Sequence, residues 1–274
     1  MSSFVIIVTH NSSIFLAQSL ERLSMQTVRP CRIAVVDSGS SPEELKATEA
    51  RCSQYGAELV CLDNVGFGAA NNEGCLRSGA SEFVLFLNPD TLLNPTFIEN
   101  AENWMRAHPN CGIASGPLLG YDLSAQRPTG LLDSTGIFRK WYGRWFDRDR
   151  QRPDKVLESL GEERVPAICG ALMFCRNAAL IRLSKADGHI FDPGFFLYYE
   201  DVDLSLRIAR LGFELVIVPD LWAYHCRGWR DRKNMPRFQR LAAARSAVRL
   251  ERKLRSPYVC FAWLKPRAVQ MLDA

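Results

Sequence analysis

The 274-residue sequence predicts an α/β fold, with a mostly parallel central sheet flanked by helices and a basic helical C-terminal extension. Three observations carry this. Short β-branched apolar runs alternate with segments of helical spacing through the first 107 residues, the pattern of parallel β/α units whose helices cover the sheet. Polar clusters follow the apolar runs: Thr9-His10-Asn11, Asp37-Ser38-Gly39, Asn64-Val65-Gly66 and Asn88-Pro89-Asp90. Charge is uneven: residues 227–255 hold eleven Lys/Arg against two acids, a local +9, although the whole chain carries only +4 and the remainder therefore about −5.

Each element has its own signal. Residues 4–9 form a β-branched run that reads as a buried strand. Residues 12–23 place Ile14, Leu16, Leu20 and Leu23 at helical spacing, with Asn11 or Ser12 as the cap. Residues 32–36 give a second strand, and 43–55 a polar helix with Pro42 near its start. Residues 58–62 give a third strand ahead of DNVGFGAANNEG, and 69–78 a helix. Residues 83–87 give a fourth strand that closes on Asn88-Pro89-Asp90, and 95–107 a helix. Residues 131–152, aromatic, basic and rich in turn formers, read as a functional loop. Strands at 168–175 and 215–218 flank a helix over 201–211 that Gly212 stops. Residues 237–254 form a basic helix with Leu241, Ala244 and Val248 on one face. Without internal repeats or a low-complexity linker, the division is one domain over 1–226 and an extension over 227–274.

Hydrophobic residues make up 47% of the chain and charged residues 23%, enough apolar content for a sizeable core. Nine cysteines without a C-x-x-C pair fit free thiols in a reducing compartment. The N-terminal residues lack a basic leader, and no apolar run approaches the roughly 18–20 residues of a membrane span. The expectation is a cytoplasmic protein that the extension attaches peripherally to the inner face of the plasma membrane.

In open α/β sheets, ligands bind beyond the carboxyl ends of the strands, so four polar strand ends on one rim point to a site. Asp37 can accept the imide N–H of a uracil or thymine ring, or it can form an Asx-turn. The G-F-G of residues 66–68 lacks a third glycine and follows the third strand, which argues against a dinucleotide fingerprint. Glu200, Asp201 and Asp203 open a helix, where the macrodipole favours acids without any catalysis. Yet Phe195, Phe196, Tyr198 and Tyr199 beside them suit a sugar face, and a partly desolvated acid there can act as a general base. His225 reads as a structural histidine, or, with a strand-end Asp, as part of a divalent-metal site shared with phosphate oxygens.

Taken in order, THNS, VVDSGSSP, DNVGFGAANNEG, FLNPDTLL, YYEDVDLSLR and AYH resemble the inverting family 2 glycosyltransferases of GT-A fold, over about residues 3–228. The set is most similar to the bacterial rhamnosyltransferases that use dTDP-rhamnose in cell-surface polysaccharide and lipopolysaccharide synthesis. The resemblance implies that Thr9, Asn11 and Asp37 hold the base, while Asn64, Gly66 and Asn72 line the nucleotide pocket. Asp90, with Asn88 beside it, would meet a Mg2+ or Mn2+ ion on the diphosphate, and His225 would be the second protein ligand. Asp201, of the Glu200–Asp201 pair, would deprotonate the acceptor hydroxyl. Asn88 stands where the first acid of D-x-D is usual, so a weakly bound metal completed by the donor's own phosphates is expected. His10 stands where an aromatic is more usual.

The implied partners are a nucleotide-sugar donor and a lipid-diphosphate-linked or polysaccharide acceptor. Arg139, Lys140 and Arg144 either approach these substrates or belong to a solvated loop. The extension suits anionic phospholipid or a lipid-linked diphosphate, with Trp229, Phe261 and Trp263 as interfacial anchors, or else it is a solvated docked helix. Nucleic acid is not expected, because the aromatic and glycine patterns of common RNA modules are missing. The alternatives are a UDP-sugar donor and a non-catalytic polybasic binding protein, which would have no need of Asp201 among aromatics. A nucleotidyltransferase of the same fold would carry G-x-G-T-R where this chain reads VTHNSS.

Overall fold

A computed structural model describes residues 3–226 and 235–272. Trp229 and the cations Arg227, Arg230, Arg232 and Lys233 lie outside the described residues. The first half follows its periodicity: β1 (Ser3–Thr9), α1 (Ser13–Ser24), β2 (Arg32–Ser38), α2 (Pro42–Tyr55), β3 (Glu58–Leu62), α3 (Phe67–Cys75) and β4 (Phe83–Leu87). β1 and β4 are buried along their whole length, which is why they read as unbroken apolar runs. Local chemistry fixes the helix starts. Ser41 caps α2 by accepting from the Glu44 N–H, with Pro42 at the first helical position. The carboxylate of Glu44 in turn takes the free N–H of Ser13 at 2.9 Å, standing in for a cap on α1.

Short pieces follow: β5 (Thr91–Leu93), α4 (Phe97–Ala107), β6 (Cys111–Ser115), β7 (Leu118–Asp122), β8 (Arg127–Ser134), β9 (Ile137–Arg139), β10 (Trp145–Asp147), β11 (Glu163–Arg164), β12 (Leu172–Arg176), α5 (Asn177–Asp187), α6 (Glu200–Arg210), β13 (Glu214–Ile217) and β14 (Ala223–His225). The basic extension forms α7 (Arg237–Lys253) and α8 (Val259–Leu272).

The large sheet runs β11-β13-β6-β12-β4-β1-β2-β3. β4, β1, β2 and β3 are parallel, and β13 is parallel to β6. Only β12 and the edge strand β11 run against their neighbours. A second sheet, β5-β14-β7-β8, lies at the end of β4. Two hydrophobic layers, one on each face of the large sheet, form the core.

The expectation of a functional loop over 131–152 is corrected. Residues 131–134 complete β8, and β9 and β10 form a hairpin. The aromatic–basic composition has a local cause: Lys140 lies 4.3 Å over the Phe146 ring, and Arg148 lies 4.4 Å over Phe138.

Candidate active site

The four polar strand ends meet on one rim. Thr9 and Asp37 are register partners on β1 and β2. Thr9 is buried and its Oγ1 has no hydrogen-bond partner among the described residues. Asp37 makes the local turn: Oδ1 accepts the Ser40 N–H at 2.9 Å and Oδ2 its hydroxyl at 2.5 Å. Asn11, at φ 49°, ties the two loops together, receiving the Ser41 N–H at 2.8 Å. His10 sits beside them, its Nδ1 2.8 Å from the Ser38 carbonyl. Asn64 borders the same loops, against Gly39.

Gly66 cannot be replaced cheaply. Its φ is +83°, and a Cβ there would strike the Phe196 carbonyl. That carbonyl accepts the Phe67 N–H at 3.1 Å. Asn72 uses its whole amide on the same segment, donating to the Phe191 carbonyl at 2.7 Å and accepting the Phe191 N–H at 2.8 Å. Its polar group therefore clamps the 190–199 segment to α3, where the sequence suggested a pocket lining.

The turn after β4 is closed by the Thr91 N–H donating to the Asn88 carbonyl. Asp90 leaves this turn toward β14, where its Oδ1 lies 3.3 Å from His225 Nε2. On the other side of the imidazole, Nδ1 is 2.7 Å from Asp133 Oδ2. Burial works to depress the His225 pKa, but the Asp90 charge and the Asp133 hydrogen bond prevail and lift it to about 9. Asp133, on β8, is a functional candidate that sequence reasoning missed. It belongs to the segment read as a loop, 92 residues from its partner, and only the pairing of β7 with both β8 and β14 brings them together.

This donor set suits a divalent metal, which would take the Nε2 lone pair in place of the proton that the two carboxylates favour. A carboxylate and an imidazole stand side by side, and a second carboxylate orients the imidazole from behind, the usual outer-shell arrangement of a histidine ligand. Among the described residues no group of three or more His, Cys, Asp or Glu is arranged to hold a metal by itself. Asp90 and His225 would therefore be two protein ligands, with the remaining positions left to phosphate and water.

The acid pair opens α6. Asp201 Oδ2 accepts the Gly170 N–H at 2.9 Å, and Oδ1 accepts its neighbour Val202 N–H at 2.8 Å. Two backbone donors favour a carboxylate there. Residue 171, next in the chain, accepts the Asn88 N–H at 3.0 Å and the Thr91 hydroxyl at 3.3 Å. Gly170 and Ala171 thus join the Asn88–Asp90 turn to Asp201; neither was singled out from sequence. Glu200 is 6% exposed and its Oε2 lacks a partner among the described residues. Burial, and then the charge of Asp201, push its carboxyl well above the usual range. Tyr198 and Tyr199 hold φ of 68° and 69°, a costly conformation for two successive bulky residues and a mark of a constrained functional segment.

α7 secures that segment from outside. Buried Asp192 accepts from Arg249 at 2.8 Å and Lys253 at 2.7 Å. Lys253 also reaches Asp203 at 2.5 Å, and Asp203 pairs with Arg207 at 2.7 Å within α6. These cations hold the Asp192 pKa below the ordinary aspartate range against its own desolvation. Ser246 adds a bond to the Leu197 carbonyl at 2.9 Å.

Comparisons with known proteins agree with this architecture. The family described as "Glycosyl transferase family 2" matches residues 4–163. The N-acetylglucosaminyl-diphospho-decaprenol L-rhamnosyltransferase of Mycobacterium tuberculosis is 26% identical over 247 residues, covering 81% of this chain and 75% of that one. Rhamnosyltransferase WbbL of Escherichia coli strain K12 is 26% identical over 235 residues, covering 81% and 82%. Among solved structures, GalNAc-T7 with UDP, GalNAc and Mn2+ superposes with a TM-score of 0.67 at 16% identity, covering 92% of this chain and 48% of that one. The mannosyltransferase PcManGT of Pyrobaculum calidifontis, in complex with GDP-Man and Mn2+, gives 0.59 at 19%, covering 92% and 63%. These two establish the fold, a GT-A arrangement, and both structures contain Mn2+. The chain belongs to glycosyl transferase family 2 and is an inverting nucleotide-sugar glycosyltransferase.

Proposed function

We propose that the protein transfers rhamnose from dTDP-rhamnose, with inversion, to a hydroxyl of a lipid-linked acceptor in cell-surface glycan synthesis. Two relatives at 26% identity are named rhamnosyltransferases, and the name of one describes a diphospho-decaprenol acceptor. The observation that carries the mechanism is the shared 170–171 segment, which ties Asp201 to the Asn88–Asp90 turn.

Asp201, its carboxyl group fixed by two N–H donors, takes the proton of the acceptor hydroxyl as the hydroxyl oxygen attacks the anomeric carbon from the face opposite the nucleotide. Burial, and then the Asp201 charge, push the Glu200 carboxyl well above its usual range, which disfavours a second negative charge beside the base. Tyr198 and Tyr199 offer ring faces to the sugar. Thr9, Asn11, Asp37, Asn64 and Gly66 form the nucleotide side of the rim. Asp90 and His225, the latter oriented by Asp133, hold the diphosphate end. A Mg2+ or Mn2+ ion there would offset charge on the departing nucleoside diphosphate. The extension faces an anionic membrane surface at the cytoplasmic side.

Titration with dTDP and UDP, with and without Mn2+, followed by transfer assays over a panel of dTDP- and UDP-sugars, tests this reading. Preference for dTDP and turnover of dTDP-rhamnose are expected. Preference for UDP with turnover only of UDP-sugars would overturn the donor assignment.

A further inference from the structure

Two of the extension's cations, Arg249 and Lys253, are committed to Asp192 and Asp203, so the extension is not simply a solvated polybasic helix. Three of its other cations, Arg245, Arg252 and Arg267, gather beside these two. Between α7 and α8 lies a cleft of about 530 Å3, within the size range of ligand sites. Arg245, Arg249, Arg252, Lys253 and Arg267 line it with Trp263, and no carboxylate does. The spacing of 245, 249 and 252 puts those side chains on one face of α7. The Arg252 guanidinium lies 5.0 Å over the Trp263 ring, which fixes both at the mouth. Arg245, Arg252 and Arg267 have no carboxylate partner among the described residues. Like charges gathered this closely repel one another, and an anion would relieve that repulsion.

The surroundings say what kind of anion. Every exposed aromatic among the described residues belongs to α7, α8 or the β9–β10 hairpin: Phe238, Phe261, Trp263, Trp141 and Tyr142. Phe261 is 66% exposed and Trp141 82%. The hairpin is fastened to the helices by Arg139, which reaches Glu251 at 2.6 Å and Ser256 at 2.8 Å, while Gly143 packs against Tyr258. Exposed aromatics beside unpaired guanidinium groups suit an interface of phosphate and acyl chain, not a free aqueous anion.

We propose that the α7–α8 cleft binds the phosphate group of a lipid, with the exposed aromatics of α8 and the hairpin resting in the apolar layer beneath it. This rests on the reading that the acceptor is lipid-linked. It gives that acceptor, or the bilayer that carries it, a specific seat on this chain. Because Arg249 and Lys253 line the cleft and also hold Asp192 and Asp203, the seat adjoins the network that secures the acid pair.

The test uses the full chain and an R252Q/R267Q variant, which leaves the Asp192 contacts intact. Flotation is measured with phosphatidylcholine vesicles, with vesicles containing phosphatidylglycerol, and with phosphatidylcholine vesicles doped with an isoprenyl diphosphate. Each cation near an anionic surface is worth about fivefold in affinity, so the double variant is expected to lose roughly 25-fold on vesicles that carry lipid phosphate as net negative charge. Its dTDP affinity and melting temperature should stay those of the wild type. Stronger binding to isoprenyl diphosphate than to phosphatidylglycerol identifies the acceptor headgroup as the occupant; equal binding identifies the bilayer surface. Binding no better than to plain phosphatidylcholine, or binding that survives both substitutions, overturns the proposal. A wild type that binds anionic vesicles through these arginines but transfers no sugar to isoprenyl-diphosphate acceptors would instead overturn the acceptor reading and leave the cleft standing.

Discussion

Asp192→Asn isolates the link between the extension and the acid pair. Asp192 is 5% exposed and accepts four hydrogen bonds, two from Arg249, one from Lys253 and one from the Gly194 N–H. Asparagine keeps the shape and one acceptor oxygen but loses the charge. Removing one member of a buried ion pair commonly costs about 3–5 kcal/mol. Here the loss is smaller, because Lys253 keeps Asp203 and the Arg249 side chain is 44% exposed and can be hydrated. About 1–3 kcal/mol is expected, which lowers the melting temperature by about 2–4 °C per kcal/mol in a chain of this size class. The pH dependence has a definite sign. The folded-state pKa is depressed, so the Asp192 contribution is fully present above the ordinary aspartate value of 3.8 and fades as pH falls toward the lower folded value. Urea unfolding of wild type and variant at neutral pH and near pH 3 measures this. The gap should be open at neutral pH and narrowed in acid. Turnover should fall further than the folded fraction does, by about tenfold or more, since small displacements of a catalytic group are costly. A variant with wild-type stability, or a gap independent of pH, would show that the Asp192 charge does not hold α7 to the 190–199 segment.

Two further predictions concern the site itself. Glu200→Gln mimics the protonated carboxyl; because the folded Glu200 pKa is raised, wild-type stability should fall relative to the variant as pH rises above about 4.5, by up to about 1.4 kcal/mol per pH unit, until the folded group ionises, and a pH-independent difference would contradict this. Asn88→Asp restores a second acid to the turn and should tighten Mn2+ binding in the presence of dTDP, measured by calorimetry; unchanged affinity would show that residue 88 does not face the ion.

The parts of the fold legible in the sequence were those whose burial leaves a simple pattern. β1 and β4 are covered on both faces and read directly as apolar runs. Neither the second sheet nor the hairpin was legible. β5 and β14 of the sheet and β9 and β10 of the hairpin have three residues each, too few for any periodicity. β8 begins with Arg127-Pro128-Thr129-Gly130, which looks like a turn, so Asp133 at its buried end was hidden. The same residue types carried both the structural and the functional readings at several positions. Asp37 makes its Asx-type turn through Ser40, and Asn72 uses its amide on backbone. Asp90 and His225 are adjacent, as the resemblance implied, but Asp133 behind them and Gly170 beneath Asp201 required the three-dimensional contacts.

Asp201 as the base is the role on which the proposed transfer rests. Steady-state turnover of dTDP-rhamnose by a folded Asp201→Asn enzyme, with dTDP affinity measured on the same sample, tests it most directly. A loss of about 10²–10⁴ in turnover with dTDP binding retained is the predicted result. Turnover near that of the wild type would rule Asp201 out as the base.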